Sequence, residues 1–442
     1  MTLAKADGHR IEPLYRPMAD GTFLYYGGPL ALDIGEHHLE PVGQIEARFE
    51  PDTELVAHVA GPFSELSPLS LFGEDPDVAV PAEGSLAPPS GPVLAERDGR
   101  GSWSDHPIRL NHLVSGDIDR ARRFLVHVVG ALEARLPRVD TGDERQGQLA
   151  FGLPGWDLVI ADTRRQGDGG FPYVVEATPT HKPTAETVDL LRTRLFTLIS
   201  LVAGCEVGIA AICGLDERDE VVWGEFGPPR FRRTRPGASW CSRDMAAEVL
   251  PALAEGYTAV CADPAHARVL ERAIAHLHFA FASEVLDVRV PIACSGIELL
   301  SWSVLQREGW LTPDMADGRN SRLPAGARAR LLLQWAGIPP GIPDELPALA
   351  ARAAAVGQPG WEGPEVLFKI RNDLIHPPRH VTDPEWPDFD QLLASWQLAT
   401  WYLELVVLRC LGYSGDYWSR LRLGGWENHV EPVPWSDRPN GP

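Results

Sequence analysis

The sequence predicts a multidomain α+β protein, with an N-terminal mixed α/β region that holds a substantial sheet and a C-terminal all-α helical bundle. Three observations carry this expectation. A length of 442 residues exceeds one typical core. Apolar residues make up 44% of the chain with 14 Trp, enough to fill several cores and too much for global disorder. Short runs with strand character also give way near Asp244 to long stretches of helical period. The expected division is 1–243 for the mixed region and 244–442 for the bundle and its tail.

Taken in order, FLYYGGPLALDI, GQIEARF and ELVAHVAG read as strands, because β-branched and aromatic residues alternate with Gly and Pro punctuation. A loop rich in Pro, Gly and Ser follows at about 73–102. SGDIDRARRFLVHVVGALEARL (115–136) opens on capping residues and then repeats apolar positions at helical spacing, which predicts a helix. WDLVIAD and YVVEATP are expected strands, 184–203 a helix, and EVGIAAICG and EVVWGEF further strands. From about 263 to 412 the period is helical throughout, and no repeat length suggests a solenoid. The tail GDYWSRLRLGGWENHVEPVPW reads as loop with aromatic anchors, and Trp396, Trp401 and Trp418 as core or interface.

Lys+Arg number 40 against 61 Asp+Glu, a formal charge of −21, which argues against a protein that coats nucleic acid by bulk electrostatics. The balance is −5 from residue 265 onward and −16 before it, so the bundle is the part less hostile to a polyanion. Six Cys with no C-x-x-C pair fit free thiols in a reducing compartment. MTLAKADGHR lacks the apolar core of a signal peptide. FTLISLVAGCEVGIAAICGL (196–215) is long enough to span a membrane, but Glu206 between Gly204 and Gly208 favours a helix ending near Gly204 followed by a buried strand. The expectation is a cytoplasmic protein without a membrane partner.

The stretch FKIRNDLIHPPRH (368–380) carries the chemistry. A helix starting near Pro364 places Val366, Leu367, Ile370 and Leu374 on one stripe of about 100°. Phe368 and Ile375 form a second apolar strip, with Arg371 beside it. Asn372 and His376 are four apart and share a face. Pro377 disfavours helical geometry at His376, so the imidazole projects from a helix C-terminus, where the dipole favours its protonated form. An imidazole, an obligate cation and an amide suit phosphodiester cleavage by general acid–base chemistry without a metal. A chance Arg-Asn-x-x-x-His arises in roughly one chain in a hundred of this composition. The same residues also suit an ordinary helix end with an exposed Arg and a C-capping His.

IRNDLIHP after an apolar helical run, within a C-terminal bundle, resembles the HEPN superfamily, whose signature is Arg, a polar residue and His at the close of a helix. IACSGIELLSWSVL resembles the earlier HEPN helix that carries an acidic residue, which places Glu298 as partner of Arg371 or Asn372. A large part-β region before such a bundle also looks like ApeA-like anti-phage proteins. The resemblance covers about 263–412. It implies a metal-independent endoribonuclease of phage defence or a toxin-like system, needing no cofactor. His376 would act as acid or base at the ribose 2′-hydroxyl, Arg371 would hold the phosphate, and Asn372 would orient it or the imidazole. It also implies a homodimer through the bundle, with RNA as substrate and a protein or ligand trigger at the N-terminal region. A non-catalytic dimerisation or nucleic-acid- or ligand-binding module is the alternative.

Further expected RNA contacts are Lys369 and Arg379 near the motif, and Arg230, Arg232, Arg233 and Arg235 in RFRRTR, the densest basic cluster. Such a run also suits a solvated loop. His276 with His278, and His37 with His38, are too close in sequence to converge on zinc, so no metal site is expected. No P-loop, G-x-G-x-x-G, G-x-S-x-G or HExxH occurs, which leaves nucleotide-triphosphate, Rossmann, serine-hydrolase and zincin chemistry without support.

Overall fold

A computed structural model describes residues 9–18, 21–29, 31–34, 37–39, 42–49, 53–60, 86–87, 108–109, 112–130, 132–142, 144–164, 170–231, 239–316, 323–356, 360–376, 386–421 and 430–436. The chain divides into two compact units. The first comprises residues 1–132, 136–196 and 207–233, and the second residues 133–135, 197–206 and 234–442. Residues 239–243 thus cluster with the helical part. The loop expected at about 73–102 lies mostly outside the described residues.

The first unit is built on an eight-stranded antiparallel sheet. Its order is Arg138–Asp140, Arg145–Leu153, Trp156–Asp162, Tyr173–Pro179, Arg123–Val129, Gly208–Leu215, Val221–Phe226 and Leu113–Gly116. A second sheet runs Phe23–Pro29, Val42–Arg48, Glu54–Ala60, Ile108–Arg109. Tyr25, Ile45 and Leu55 of the second sheet share one core with Ala211, Cys213 and Phe226 of the first. Helix α1 (Ala185–Ala203) is tied to the large sheet by an Arg192–Glu225 ion pair at 3.1 Å. It ends at Gly204, whose φ of 70° is left-handed, and the buried strand Gly208–Leu215 follows.

The helix expected at 115–136 does not form. Leu113–Gly116 is an edge strand, Ile118–Arg120 a 3-10 turn, and Arg123–Val129 a strand at the middle of the sheet. The capping signal is real but short-ranged: the Asp117 carboxylate accepts from the Asp119 N–H at 3.0 Å and serves only the turn. The run from Phe124 to Val129 is buried on both faces, and periodicity cannot separate such a strand from a buried helix.

His127, on that strand, is fully buried. The Leu14 N–H donates to its Nε2 at 3.1 Å, so Nδ1 carries the proton and faces the Ala211 carbonyl at 3.3 Å. Burial pushes the pKa down to about 4, against the opposing pull of hydrogen bonds to backbone. The unfolded chain takes up a proton near pH 6.5 while the folded one refuses it until about 4. His127 therefore removes stability as pH falls through that window, by about 3 kcal/mol in all. Urea melts should show wild type exceeding His127→Gln by more at pH 7 than at pH 4.5.

The second unit contains α2 (Ala246–Val260), α3 (Pro264–Ala282), α4 (Leu286–Arg307), α5 (Pro313–Ala316), α6 (Ala325–Ala336), α7 (Pro347–Val356), α8 (Gly363–Ile375) and α9 (Phe389–Cys410). α9 is the hub, with Leu398, Leu403 and Leu405 fully buried. α4 meets it closely because position 296 is glycine: a Cβ there would lie 2.7 Å from a Leu403 methyl and 3.1 Å from His276. α4 is the one helix, among the described residues, long and apolar enough to cross a membrane, and half of that stretch is buried in the bundle.

The tail is stapled on. The Arg420 guanidinium grips the Glu404 carboxylate through Nε (3.0 Å) and Nη2 (2.7 Å), and lies 4.2 Å from the Phe281 ring centroid. Asp416–Tyr417 pairs with Glu431–Pro432, and Trp401 donates to the Tyr417 hydroxyl at 3.1 Å. Trp396 donates to the Ala280 carbonyl, and the Trp418 N–H to the Trp240 carbonyl, so these aromatic positions hold helices and tail together. All six cysteines are free thiols.

Candidate functional site

α8 carries the Arg-Asn-x-x-x-His stretch and is pinned at its start. Pro364 sits in the first turn, and the Glu365 carboxylate accepts from the Glu362 N–H at 3.2 Å. Gly363 lets the helix start against α9, since a Cβ there would fall 2.2 Å from the Tyr402 hydroxyl. Val366, Leu367 and Ile370 are fully buried and form the expected stripe, with Leu374 half-buried. The second strip splits: Phe368 is 3% exposed and packs within its own chain, whereas Ile375 is 41% exposed.

The helix ends as the His-Pro pair requires. The His376 N–H closes the last turn on the Asn372 carbonyl at 2.7 Å, and His376 itself leaves helical geometry at φ −127°, ψ 71°. Asn372 and His376 are both exposed, one turn apart, and Arg371 is half-buried beside them.

Arg371 is held on two sides. Its Nη2 donates to Glu298 Oε2 at 3.2 Å, and its Nη1 to Asn372 Oδ1 at 2.9 Å. With Asn372 Oδ1 turned to the guanidinium, the amide NH2 is left pointing elsewhere as a donor. Glu298 stands on α4 among apolar neighbours, and its other oxygen accepts from Arg328 Nη2 of α6 at 3.3 Å. Arg328 is buried, donates also to the Leu323 carbonyl at 2.7 Å, and lies 4.8 Å from the Trp302 ring centroid. One carboxylate thus sits between two guanidinium groups, leaving a surplus positive charge next to exposed Asn372 and His376. One turn before Glu298, burial pushes the Cys294 thiol well above its ordinary range, with the Arg371 charge pulling the other way, so it stays protonated.

The weaker candidates scatter. Lys369 is ion-paired with Asp373 on its own helix, and Arg352 of α7 reaches the same carboxylate at 3.5 Å. Arg230 is exposed in the first unit, where Phe231 packs against the sheet core. Arg379, Arg232, Arg233 and Arg235 lie outside the described residues. Sequence reasoning missed Arg328 and Arg352, whose one signal is an Arg at helical spacing inside an apolar run. Among the described residues, no three His, Cys, Asp or Glu side chains group as metal ligands would.

Two cavities lie elsewhere. One of about 690 Å³ is lined by Glu248, Glu255, Arg307, Cys410, Tyr413 and Asp416 in the second unit. Another of about 900 Å³, in the first unit, is lined by Arg10, Arg16, Arg138, Arg145, Arg164 and Asp162 among others. The Arg371–His376 group lines neither of these, and its Asn372 and His376 are exposed. Exposed apolar side chains gather where α3 ends and α4 and α9 begin: Phe279, Val285, Val288, Trp386 and Phe389, all between 47% and 66% exposed. The Trp396–Ala280 hydrogen bond and the Arg289 guanidinium 4.9 Å from the Trp396 ring bring those three helix ends together.

Comparison with known proteins finds one family model and one curated relative. Residues 263–431 match the model of the YopA C-terminal domain, a span that starts at the N-cap of α3 and takes in Glu298, Arg328, the α8 motif and Arg420. The whole chain is similar to the SPbeta prophage-derived uncharacterized protein YopA of Bacillus subtilis (strain 168), at 22% identity over 94% of this chain and 95% of that protein. No solved structure matches. The chain is thus similar along nearly its whole length to a prophage-derived protein, and its helical bundle to that protein family's C-terminal domain.

Proposed function

We propose that the second unit is a metal-independent endoribonuclease of the HEPN type, acting in the cytoplasm in phage defence or a toxin-like system. The observation that carries this reading is Arg371, held by Glu298 and Asn372 at the end of α8, with the His376 imidazole exposed one turn on. His376 takes the proton of a ribose 2′-hydroxyl, the 2′-oxygen attacks phosphorus, and the 5′-oxygen leaves with a proton. The products are a 2′,3′-cyclic phosphate and a 5′-hydroxyl. Arg371 and the Asn372 amide meet the charge that builds on the phosphoryl oxygens. The prophage-derived relative agrees with a phage-related setting. An activating protein or ligand would act on the first unit, whose cavity of about 900 Å³ is lined by Arg10, Arg16, Glu12 and Glu144 among others.

One chain offers this chemistry on an open surface, and one imidazole cannot be base and acid at once. A second copy, bringing a second Arg371–His376 pair, would enclose the phosphate and supply the other proton-transfer group. Ile375 and the exposed apolar group at the α3–α4–α9 ends suit such a contact. Phe389→Asp combined with Ile375→Asp is expected to shift the protein toward monomer in sedimentation velocity and to lower cleavage in parallel. An unchanged sedimentation coefficient removes this surface from consideration.

The open position of the motif favours one other reading, a bundle that assembles or binds without cutting. Expression in bacteria separates the two. Wild type should degrade RNA in the presence of EDTA and leave 2′,3′-cyclic phosphate ends, whereas intact RNA at every level of induction, in cells challenged with phage, overturns the nuclease reading.

A further inference from the structure

Arg371 is less tightly held than it could be. Its Nε–H is buried and makes no hydrogen bond among the described residues, although the Glu298 carboxylate is within reach of the same guanidinium. An arginine and a carboxylate with nothing else nearby settle into a two-bond fork, and the unused Nε–H would be the second arm of a side-on fork with Nη2. It does not form because the second Glu298 oxygen is turned to Arg328 at 3.3 Å. Arg328 is fixed by its bond to the Leu323 carbonyl and by its position over Trp302, with its side chain 8% exposed, so it cannot follow Glu298 elsewhere.

We infer that Arg328 is a positioning residue that keeps Glu298 from clamping Arg371, so that Arg371 can be handed to an anionic oxygen of a phosphodiester. This rests on the reading of Arg371 as the phosphate-holding group. When Arg371 turns to the phosphate, Glu298 keeps one cationic partner and is not left as an uncompensated carboxylate. When no phosphate is present, the single Arg371–Glu298 bond holds the arm at the surface. Arg328 touches no substrate and acts through Glu298.

The arrangement predicts a specific rescue. In Arg328→Met, Glu298 is free to rotate and fork onto Arg371, which then becomes harder to reach. Removing the carboxylate charge as well, in Arg328→Met with Glu298→Gln, releases it again. The rate at which phenylglyoxal modifies Arg371, followed by peptide mass spectrometry on the full-length chain, reads this without RNA. Arg328→Met should slow modification about three- to five-fold, the size of one half-exposed ion-pair contact. Arg328→Lys should fall between it and wild type, and the double variant should match Glu298→Gln. A rate unchanged in both Arg328 variants, or a double variant as slow as Arg328→Met, overturns the proposal. Binding of a 2′-O-methyl oligoribonucleotide, followed by anisotropy, should rank the four variants in the same order. The labelling pattern without any oligonucleotide binding supports the role of Arg328 and overturns the ribonuclease reading instead. Unfolding of Arg328→Met would speed labelling rather than slow it, and Arg328→Lys then decides.

Discussion

His376→Ala is expected to lower RNA cleavage about 10²- to 10⁴-fold with no change in thermal midpoint. The two halves of this result have separate causes. The imidazole is exposed and makes no hydrogen bond among the described residues, so removing it disturbs no packing, while the backbone N–H that closes α8 on Asn372 stays in place. The loss of rate comes from deleting the one side chain of the motif that can both accept and donate a proton. Arg371→Ala should lose about 10²- to 10³-fold for a different reason, the lost stabilisation of charge on phosphorus, and should keep the fold because Glu298 retains Arg328. Cleavage by either variant at the wild-type rate, measured on full-length protein with a fluorescent oligoribonucleotide, would remove that residue from the reaction.

The largest stability effect is expected at the other end of the bundle. Arg420→Ala should destabilise the second unit by about 3–5 kcal/mol, because it leaves Glu404, 1% exposed in its side chain, as a buried carboxylate without its cation. Replacing both partners, as Glu404→Leu with Arg420→Met, should recover most of that loss, since the pair itself gains little over well-packed apolar groups. Urea denaturation followed by tryptophan fluorescence checks this. The loss should fall on one of two transitions if the units melt separately. The practical meaning is that the bundle does not end at Cys410 with its last helix: residue 420 belongs to its core, and fragments that stop at α9 strand a charge.

What could be read in advance follows from how local each signal was. α8 was legible because everything that defines it is local: Pro364 at the start, the stripe through Ile370, and His376 before Pro377 at the close. Glu298 was legible as a partner of Arg371 or Asn372 because a carboxylate inside an apolar helix needs a polar partner, and the structure gives it Arg371. The strand Arg123–Val129 was misread as helix because its inward and outward residues are equally apolar, a property set by the elements packed on both faces. Arg328 was invisible for a related reason, since its importance lies in where α6 crosses α4 and not in its neighbours along the chain. The fate of Lys369 likewise depended on the carboxylate one turn on, Asp373, which it shares with Arg352.

Gly296 gives the candidate site its tolerance. It lies two residues before Glu298, at the place where α4 rests against Leu403 of α9 with no room for a methyl group. Gly296→Ala would press on a Leu403 methyl, so that either this side chain or α4 itself must shift. Both bonds of Glu298 already stand at 3.2–3.3 Å, close to the limit at which such contacts still count. A position without a side chain thus lets α4 lie close against α9, two residues before the carboxylate that reaches two arginines at once.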